Sequence, residues 1–374
     1  MSISPGLAFA LMWVGFAAYL GALAAAPALA SWSPTRFPSL GWKTCWGAMV
    51  VAVACFAVAP VLLSHDVYSY VDYARLGVAH GLDPYVDPPL AAPQDPAFAE
   101  VRWTEATSAY GPLFTLATYP LAWLPVGAAV AVLKAVAALS VLGLAATVAR
   151  IAAWRGVEPL RAAAFVALNP LVLVHVVGGA HNDGLAMLLA LLAVAAVLSA
   201  RELAGGAALL AAVAIKASAA FVAPFALLGA RDRVRLSAGA ALAAVAIAAA
   251  AWLAFGWDWL GALGLAGENQ GRTSHMSVPI TVARLTGLDP GAVRVVALVL
   301  FLTLLFELLR WTWRGGDWVR AAAWTAAGLL LATSWLLPWY LVWLLPLAAI
   351  SRDRPLQILA LALTAYQLGA RIPL

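Results

Sequence analysis

Charge is what this sequence has little of. Only 10% of its 374 residues are Asp, Glu, Lys or Arg, while 64% are hydrophobic; soluble domains carry about 25% charged residues. That deficit excludes an ordinary soluble domain. Cysteine is nearly absent as well. Cys45 and Cys55 both lie in or beside an apolar run, so no disulfide framework is expected. The short alternating segments of a membrane barrel are missing. No P-loop and no Rossmann glycine pattern occurs, which argues against direct use of a nucleotide-activated donor. No basic stretch precedes the first apolar run, about 5–30. That run is also long for a signal peptide, so it reads as a mature helix. Internal repeats are lacking too.

Long apolar runs fill most of the chain and read as transmembrane helices. The expected fold class is an all-α polytopic membrane protein, a single domain over 1–374. About nine full spans fall near 6–30, 44–63, 126–149, 161–177, 184–200, 236–256, 291–310, 320–337 and 356–373. Residues 338–350 are short and bounded by prolines. Residues 203–229 are apolar but interrupted by Lys216-Ala217-Ser218.

Basic residues set the sidedness, because cytoplasmic loops are enriched in Lys and Arg. Fourteen fall on one side: Arg36, Lys43, Arg150, Arg155, Arg161, Arg201, Arg231, Arg233, Arg235, Arg310, Arg314, Arg320, Arg352 and Arg354. Six fall on the other, namely Arg75, Arg102, Arg272, Arg284, Arg294 and Arg371, while Lys134 and Lys216 sit within apolar runs. The overall +5 charge is therefore a topology signal and not a nucleic-acid footprint. The N-terminus is expected outside if 6–30 is one span. Arg201 and the run 231–235 share the cytoplasmic side only if 203–229 goes in and returns. That stretch is too short for two crossings of a ~30 Å core at ~1.5 Å per residue. Two half-length helices meeting near Lys216 are predicted, lining a covered polar cavity. One long tilted helix with a snorkelling Lys216 is the alternative.

The polar material collects in the outer loops. The longest, 64–111, holds Asp66, Asp72, Asp83, Asp87, Asp95, Glu100 and Glu105 against Arg75 and Arg102. It begins Ser64-His65-Asp66-Val67-Tyr68-Ser69-Tyr70. Tyr68, Asp72 and Arg75 recur at helical spacing, which predicts an amphipathic helix along the membrane surface, ending by Gly81, with Asp72 and Arg75 able to pair. Asp66 stands at its start, where the helix dipole favours a carboxylate. It either caps the helix or accepts a proton from a hydroxyl. A second outer turn carries His181, Asn182 and Asp183, either a cap for the next helix or a functional cluster near membrane depth. Its His and Asp lack the ligand spacing of zinc motifs. Lys216 needs an anion, either a lipid phosphate or a carboxylate such as Glu202 or Asp183. Arg272 and His275 suit phosphate or are plain loop residues. Trp339 and Tyr340 either stack on sugar rings or belong to an interfacial aromatic belt. Tyr85 stands in turn chemistry, and Tyr110 marks the return to the membrane. Glu307 reads as a structural pair.

Several blocks occur in order: S-H-D-V-Y-S-Y, G-L-D-P-Y, S-A-Y-G-P-L-F and N-P-L-V-L-V-H-V-V-G-G-A-H-N-D-G, followed by I-K-A-S-A-A-F-V-A-P-F and P-W-Y-L-V-W-L-L-P. Over roughly 60–350 the chain resembles the actinobacterial polyprenol-phosphate-mannose-dependent α-(1→6)-mannosyltransferases, within the GT-C glycosyltransferases. The resemblance implies a GT-C fold and a site on the non-cytoplasmic face of the plasma membrane. It also implies a polyprenyl-phosphate-linked sugar donor and a glycan or glycolipid acceptor. Transfer is inverting, with the aspartate matched by Asp66 as base. No metal or other cofactor is expected, although one branch of these enzymes uses a metal.

On that resemblance Asp66 deprotonates the acceptor hydroxyl, and Lys216, Arg272, His275 and His181 are candidates for the donor phosphate. His65, Tyr68, Tyr70, Asp72, Tyr85, Tyr110, Asn182, Asp183, Trp339 and Tyr340 are candidates for the sugar and acceptor pocket. The rival reading is a secondary transporter with a midplane site near Lys216.

Overall fold

The computed structural model describes residues 5–30 and 40–370. Arg36, Arg371 and the last residues of the expected span 356–373 lie outside the described residues. Among the described residues every regular element is helical and no strand occurs.

Among the described residues five helices are long and apolar enough to cross a membrane, Phe9–Ala28, Gly41–Val58, Val126–Trp154, Arg233–Phe255 and Pro290–Trp313. The chain is a helical membrane protein, and among the described residues five of the nine expected spans fall on helices of this length. The expected spans 184–200, 320–337 and 356–373 are helices Asp183–Leu198, Trp318–Ala332 and Arg354–Ala370, of 16, 15 and 17 residues. A span takes about 20 residues, with a range of about 17–25, so the last of these reaches the lower end and the first two fall just short. The expected span 161–177 is not one helix. Helix Pro159–Ala167 stops before Pro170, and the chain resumes as a wide π-turn, Val172–Val177. Pro170 offers no N–H and disfavours helical backbone at Asn169. Asn169 Oδ1 accepts the Leu171 N–H instead, at 3.0 Å.

The chain forms two compact units. The first comprises Met1–Phe56, Val141–Val174 and Arg272–Leu374, and the second Ala57–Ser140 and His175–Gly271. In the first, Pro290–Trp313 and Trp318–Ala332 pack together. Arg155 ties Asp317 to the Ile350 carbonyl. Arg320 and Trp324 both donate to the buried Asp353, at 2.6 and 2.9 Å. Glu307 pairs with Arg310, 2.6 Å away on the same helix.

In the second unit, helix Glu202–Ile215 packs against Asp183–Leu198 and Arg233–Phe255. Its approach to the latter leaves no room for side chains. A Cβ on Gly206 would lie 1.9 Å from the Leu236 carbonyl oxygen, and one on Gly239 1.9 Å from that of Leu203. The helix then breaks at Lys216, whose backbone is extended at φ −151, ψ 118. A 3₁₀ turn, Ala217–Val222, and helix Ala223–Gly229 follow. The predicted pair of half-length helices meeting at Lys216 is therefore present. Lys134 is absorbed structurally. Its ammonium donates to the carbonyls of Ala59 and Pro60, just past the end of helix Leu40–Val58, as basic groups do at helix C-termini.

The first loop helix runs Asp66–Ala79 and closes before Gly81, which adopts φ +66. It differs from the predicted surface helix. Val67, Ser69, Tyr70, Val71, Asp72, Tyr73, Ala74 and Leu76 are all buried, so the helix is enclosed nearly all round. Residues 82–124 supply part of the cover, and Ala129, Leu133, Ala180, Ala186 and Ile215 belong to the same buried cluster. Tyr70 packs against Tyr110 and Phe114, and Leu76 against Ala92 and Leu82. The predicted Asp72–Arg75 pair does not form either. Arg75 Nε donates to both oxygens of Asp95, at 2.8 and 2.9 Å, and its Nη1 to the Ala122 carbonyl at 2.9 Å.

Candidate functional site

Two backbone segments of the second unit carry the candidate residues. Ser64-His65-Asp66 enters the Asp66–Ala79 helix, and His181-Asn182-Asp183 enters the Asp183–Leu198 helix. They are tied by a hydrogen bond from Leu62 N–H to the Gly178 carbonyl, 3.2 Å. Each is preceded by a non-glycine residue in the left-handed region, Leu63 at φ +57 and Ala180 at φ +54. That conformation costs roughly 1–2 kcal/mol per residue, and it places the two helix N-termini side by side.

Asp66 occupies the first turn of its helix, yet it does not cap it. Its backbone N–H goes to Ser64 Oγ at 3.3 Å, and His65 at the N-cap makes no side-chain cap bond. The Asp66 carboxylate points away from the helix. Oδ1 accepts from the indole N–H of Trp103 at 3.3 Å, and Oδ2 lies 3.7 Å from His181 Nδ1. About 18% of the side chain stays exposed, so the carboxylate is recessed but reachable. His181 is buried and held by close backbone. A Cβ on Gly179 would lie 2.6 Å from the His175 carbonyl and 3.1 Å from His181 Cδ2.

Lys216 projects from the break in its helix onto this pair of N-termini. Its Nζ lies 2.6 Å from Asp183 Oδ2 and 3.5 Å from Asn182 Oδ1. Of the two carboxylates weighed above, Asp183 is the partner, and it is fully buried. The Tyr110-Gly111-Pro112 turn sits against the same break. Gly111 N–H donates to the Ile215 carbonyl at 3.1 Å, and a Cβ on Gly111 would lie 2.0 Å from the Ala214 carbonyl oxygen. Glycine is required there because two backbones meet one residue before Lys216.

Burial dominates the electrostatics and raises the proton affinity of Asp66. The Lys216 charge and the Trp103 N–H oppose it, while Asp183 adds to it. Asp66 is thus a carboxylate whose ionised form is held by one cation and one donor, with a basicity above that of a solvated acid. Tyr70 and Tyr110 are buried phenols, and burial moves both well above their usual range. Their rings meet edge to face at 4.7 Å.

The remaining sequence candidates fall in three places. Asp72 is buried on the Asp66 helix, and among the described residues neither of its oxygens has a hydrogen-bond partner. Burial first, and then the Asp95 charge, raise it to about 7. Asp95 behaves oppositely. Burial would raise it, but Arg75, the Ala97 N–H and His80 hold it below the usual carboxylate range. Tyr85 braces the loop, its hydroxyl donating to the Tyr110 carbonyl at 3.0 Å and hydrogen-bonded to the Thr115 hydroxyl at 2.9 Å. The Tyr68 ring lies 5.5 Å from that of His65. Arg272, His275, Trp339 and Tyr340 belong to the first unit. There the Arg272 guanidinium lies 6.0 Å from the Trp335 ring, and Tyr340 stacks on Trp343 at 4.1 Å.

The second unit therefore brings together Asp66, His181, Asn182, Asp183 and Lys216. Trp103 joins them without having been singled out from sequence. It is a loop aromatic 37 positions from its partner, and no spacing rule reaches that far. Among the described residues no three His, Cys, Asp or Glu side chains form a group that could hold a metal ion. Chemically, the cluster offers a recessed base with a cation and a histidine beside it, which suits proton removal next to an anion.

Comparison with known proteins gives one family. Residues 2–232 match the model described as alpha-(1->6)-mannopyranosyltransferase, N-terminal domain. The chain is 31% identical over 332 residues to alpha-(1->6)-mannopyranosyltransferase A of Mycobacterium tuberculosis, covering 78% of this chain and 63% of that protein. It is 35% identical over 184 residues to the protein of the same name from Corynebacterium glutamicum, covering 48% of this chain and 36% of that one. The chain thus spans less than two thirds of the length of these relatives. No solved structure matches it.

Proposed function

Because the chain belongs to the α-(1→6)-mannopyranosyltransferase family, we propose that it transfers mannose from a polyprenyl-phosphate donor to a glycan or glycolipid acceptor. The observation that carries this reading is the recessed Asp66 carboxylate beside His181 and the Lys216–Asp183 pair. The all-helical membrane architecture supports a GT-C type fold over 1–374. The charge bias of the loops supports a site on the non-cytoplasmic face.

In this mechanism Asp66 removes the proton from the acceptor hydroxyl as its oxygen attacks C1 of the sugar. The bond from C1 to the phosphate oxygen breaks and its electron pair stays on the phosphate. Attack from the opposite side inverts the anomeric centre, through an oxocarbenium-like transition state. The leaving phosphate gains charge and needs stabilisation, which Lys216 and His181 supply. Asp183 and Asn182 hold Lys216 in place, and Tyr70 and Tyr110 support the wall under Asp66. The lipid tail lies beside the broken pair 202–229. Arg272, His275, Trp339 and Tyr340 carry no part of this proposal.

The test uses the full-length chain in membranes with radiolabelled polyprenyl-phosphate mannose and an α-(1→6)-linked mannose oligosaccharide as acceptor. Transfer of label, lost in Asp66→Asn, supports the reading. The break at Lys216 also suits a secondary transporter. Gradient-driven uptake with no consumption of the lipid-linked sugar would replace the transferase by that reading.

A further inference from the structure

The loop over Asp66 is clamped on both sides of Trp103. Before it, His65 Nδ1 bonds the Glu100 carbonyl at 2.9 Å. After it, the Tyr73 hydroxyl donates to the Ala106 carbonyl at 2.7 Å. Between the clamps, Ala106 N–H donates to the Trp103 carbonyl at 3.2 Å, and Leu90 N–H to that of Thr104 at 2.9 Å. Both clamping side chains come from the Asp66 helix or its N-cap, so the strap and the carboxylate share one frame. A carbonyl only accepts, so the His65 ring carries its proton on Nδ1. At the midpoint of the strap, Trp103 sends its indole N–H to Asp66 Oδ1, while its ring remains 40% exposed.

We propose that Trp103 is a positioning residue for the Asp66 base, and that His65 holds the strap that carries it. The inference rests on the transferase reading above. It differs from the expectation that His65 lines the sugar pocket. The indole N–H fixes the carboxylate plane through Oδ1 and leaves Oδ2 facing His181 for the acceptor proton. An N–H donor also stabilises the ionised carboxylate. Without it, Asp66 holds its proton to higher pH.

The test compares pH profiles of mannose transfer by the full-length chain in membranes, with the same labelled donor and acceptor. Trp103→Phe keeps an aromatic side chain, with one ring in place of the fused indole, and removes the N–H. The expected result is a fall in kcat of about tenfold below neutral pH, an acidic limb moved to higher pH, and KM for both substrates within about twofold. His65→Ala should move the limb the same way. His65→Asn, which keeps a donor near the Nδ1 position, should restore it. A Trp103→Phe enzyme with the wild-type kcat and limb overturns the proposal, as does His65→Ala with an unmoved limb. If Asp66→Asn transfers mannose normally, the base assignment itself fails. If Asp66→Asn is inactive while Trp103→Phe is unchanged, only the positioning role fails.

Discussion

At the residue scale, the proposed base Asp66 would have to be ionised to take a proton, and burial works against that. Its proton affinity is raised, with Lys216 and Trp103 restraining the rise. Activity is expected to fall as pH drops through this raised value, so the acidic limb lies above the ~4 of a solvated carboxylate. Asp66→Asn should lower the rate of transfer by about 10²–10⁴, the usual contribution of a general base. The variant should elute from size exclusion as wild type does. Asp72 makes a separate prediction about stability. Its pKa is raised from 3.8 to about 7 in the fold, so the folded state binds the proton more tightly than the unfolded chain. Its contribution is then fully present below pH ~4 and declines as pH rises toward ~7. Asp72→Asn should flatten that decline and raise the unfolding midpoint at pH 8 by a few degrees, read by thermal unfolding in detergent at several pH values. Asp66 and His181 were visible in the sequence because ionisable groups beside apolar runs are conspicuous. Trp103 and the burial of Asp72 were not, since both depend on how residues 82–124 fold back over the helix.

At the element scale, the break at Lys216 was legible because two basic clusters had to lie on one side with too few residues between them for two crossings. The stop at Pro170 was legible in principle but masked by continuous hydropathy. The enclosure of the Asp66 helix was not legible, because Tyr and Val on several faces also fit an interfacial helix. The break presents Lys216 to a carboxylate that is fully buried. Lys216→Met removes that cation, and breaking a buried pair costs about 3–5 kcal/mol. The double variant Lys216→Met, Asp183→Asn should recover most of the thermal stability. On the proposed mechanism it should not recover transfer, because the donor phosphate would still lack its cation. Recovery of both would make the pair structural only. Gly111 tests the neighbouring joint. With a Cβ 2.0 Å from the Ala214 carbonyl oxygen, Gly111→Ala must lift the re-entry turn off the helix end. It should lower stability by about 1–3 kcal/mol and reduce transfer more than a substitution at the unobstructed Gly127.

At the scale of the whole molecule, the class was readable from composition alone. An apolar helical membrane protein follows from long runs of Ala, Leu and Val and from the scarcity of charge. Where individual helices end was less readable, since hydropathy runs continue through turns that prolines interrupt, as at Pro170. Sidedness bears most directly on the proposed mechanism, because the proposed lipid-linked donor would have to reach Asp66 from the face on which the 64–111 loop lies. The loop holds seven acidic residues against two arginines, while Arg231, Arg233 and Arg235 crowd a separate turn. The positive-inside bias predicts that the latter faces the cytoplasm and the former does not. The prediction can be checked in a chain with Cys45 and Cys55 replaced by alanine. Glu105→Cys and Arg231→Cys, both at exposed positions, then serve as single reporters. On intact cells a membrane-impermeant maleimide should label Glu105→Cys fully and Arg231→Cys only after permeabilisation. The reverse pattern would put Asp66 on the cytoplasmic face, away from an outer-face acceptor, and would overturn the proposed direction of transfer even if the chemistry at Asp66 were right.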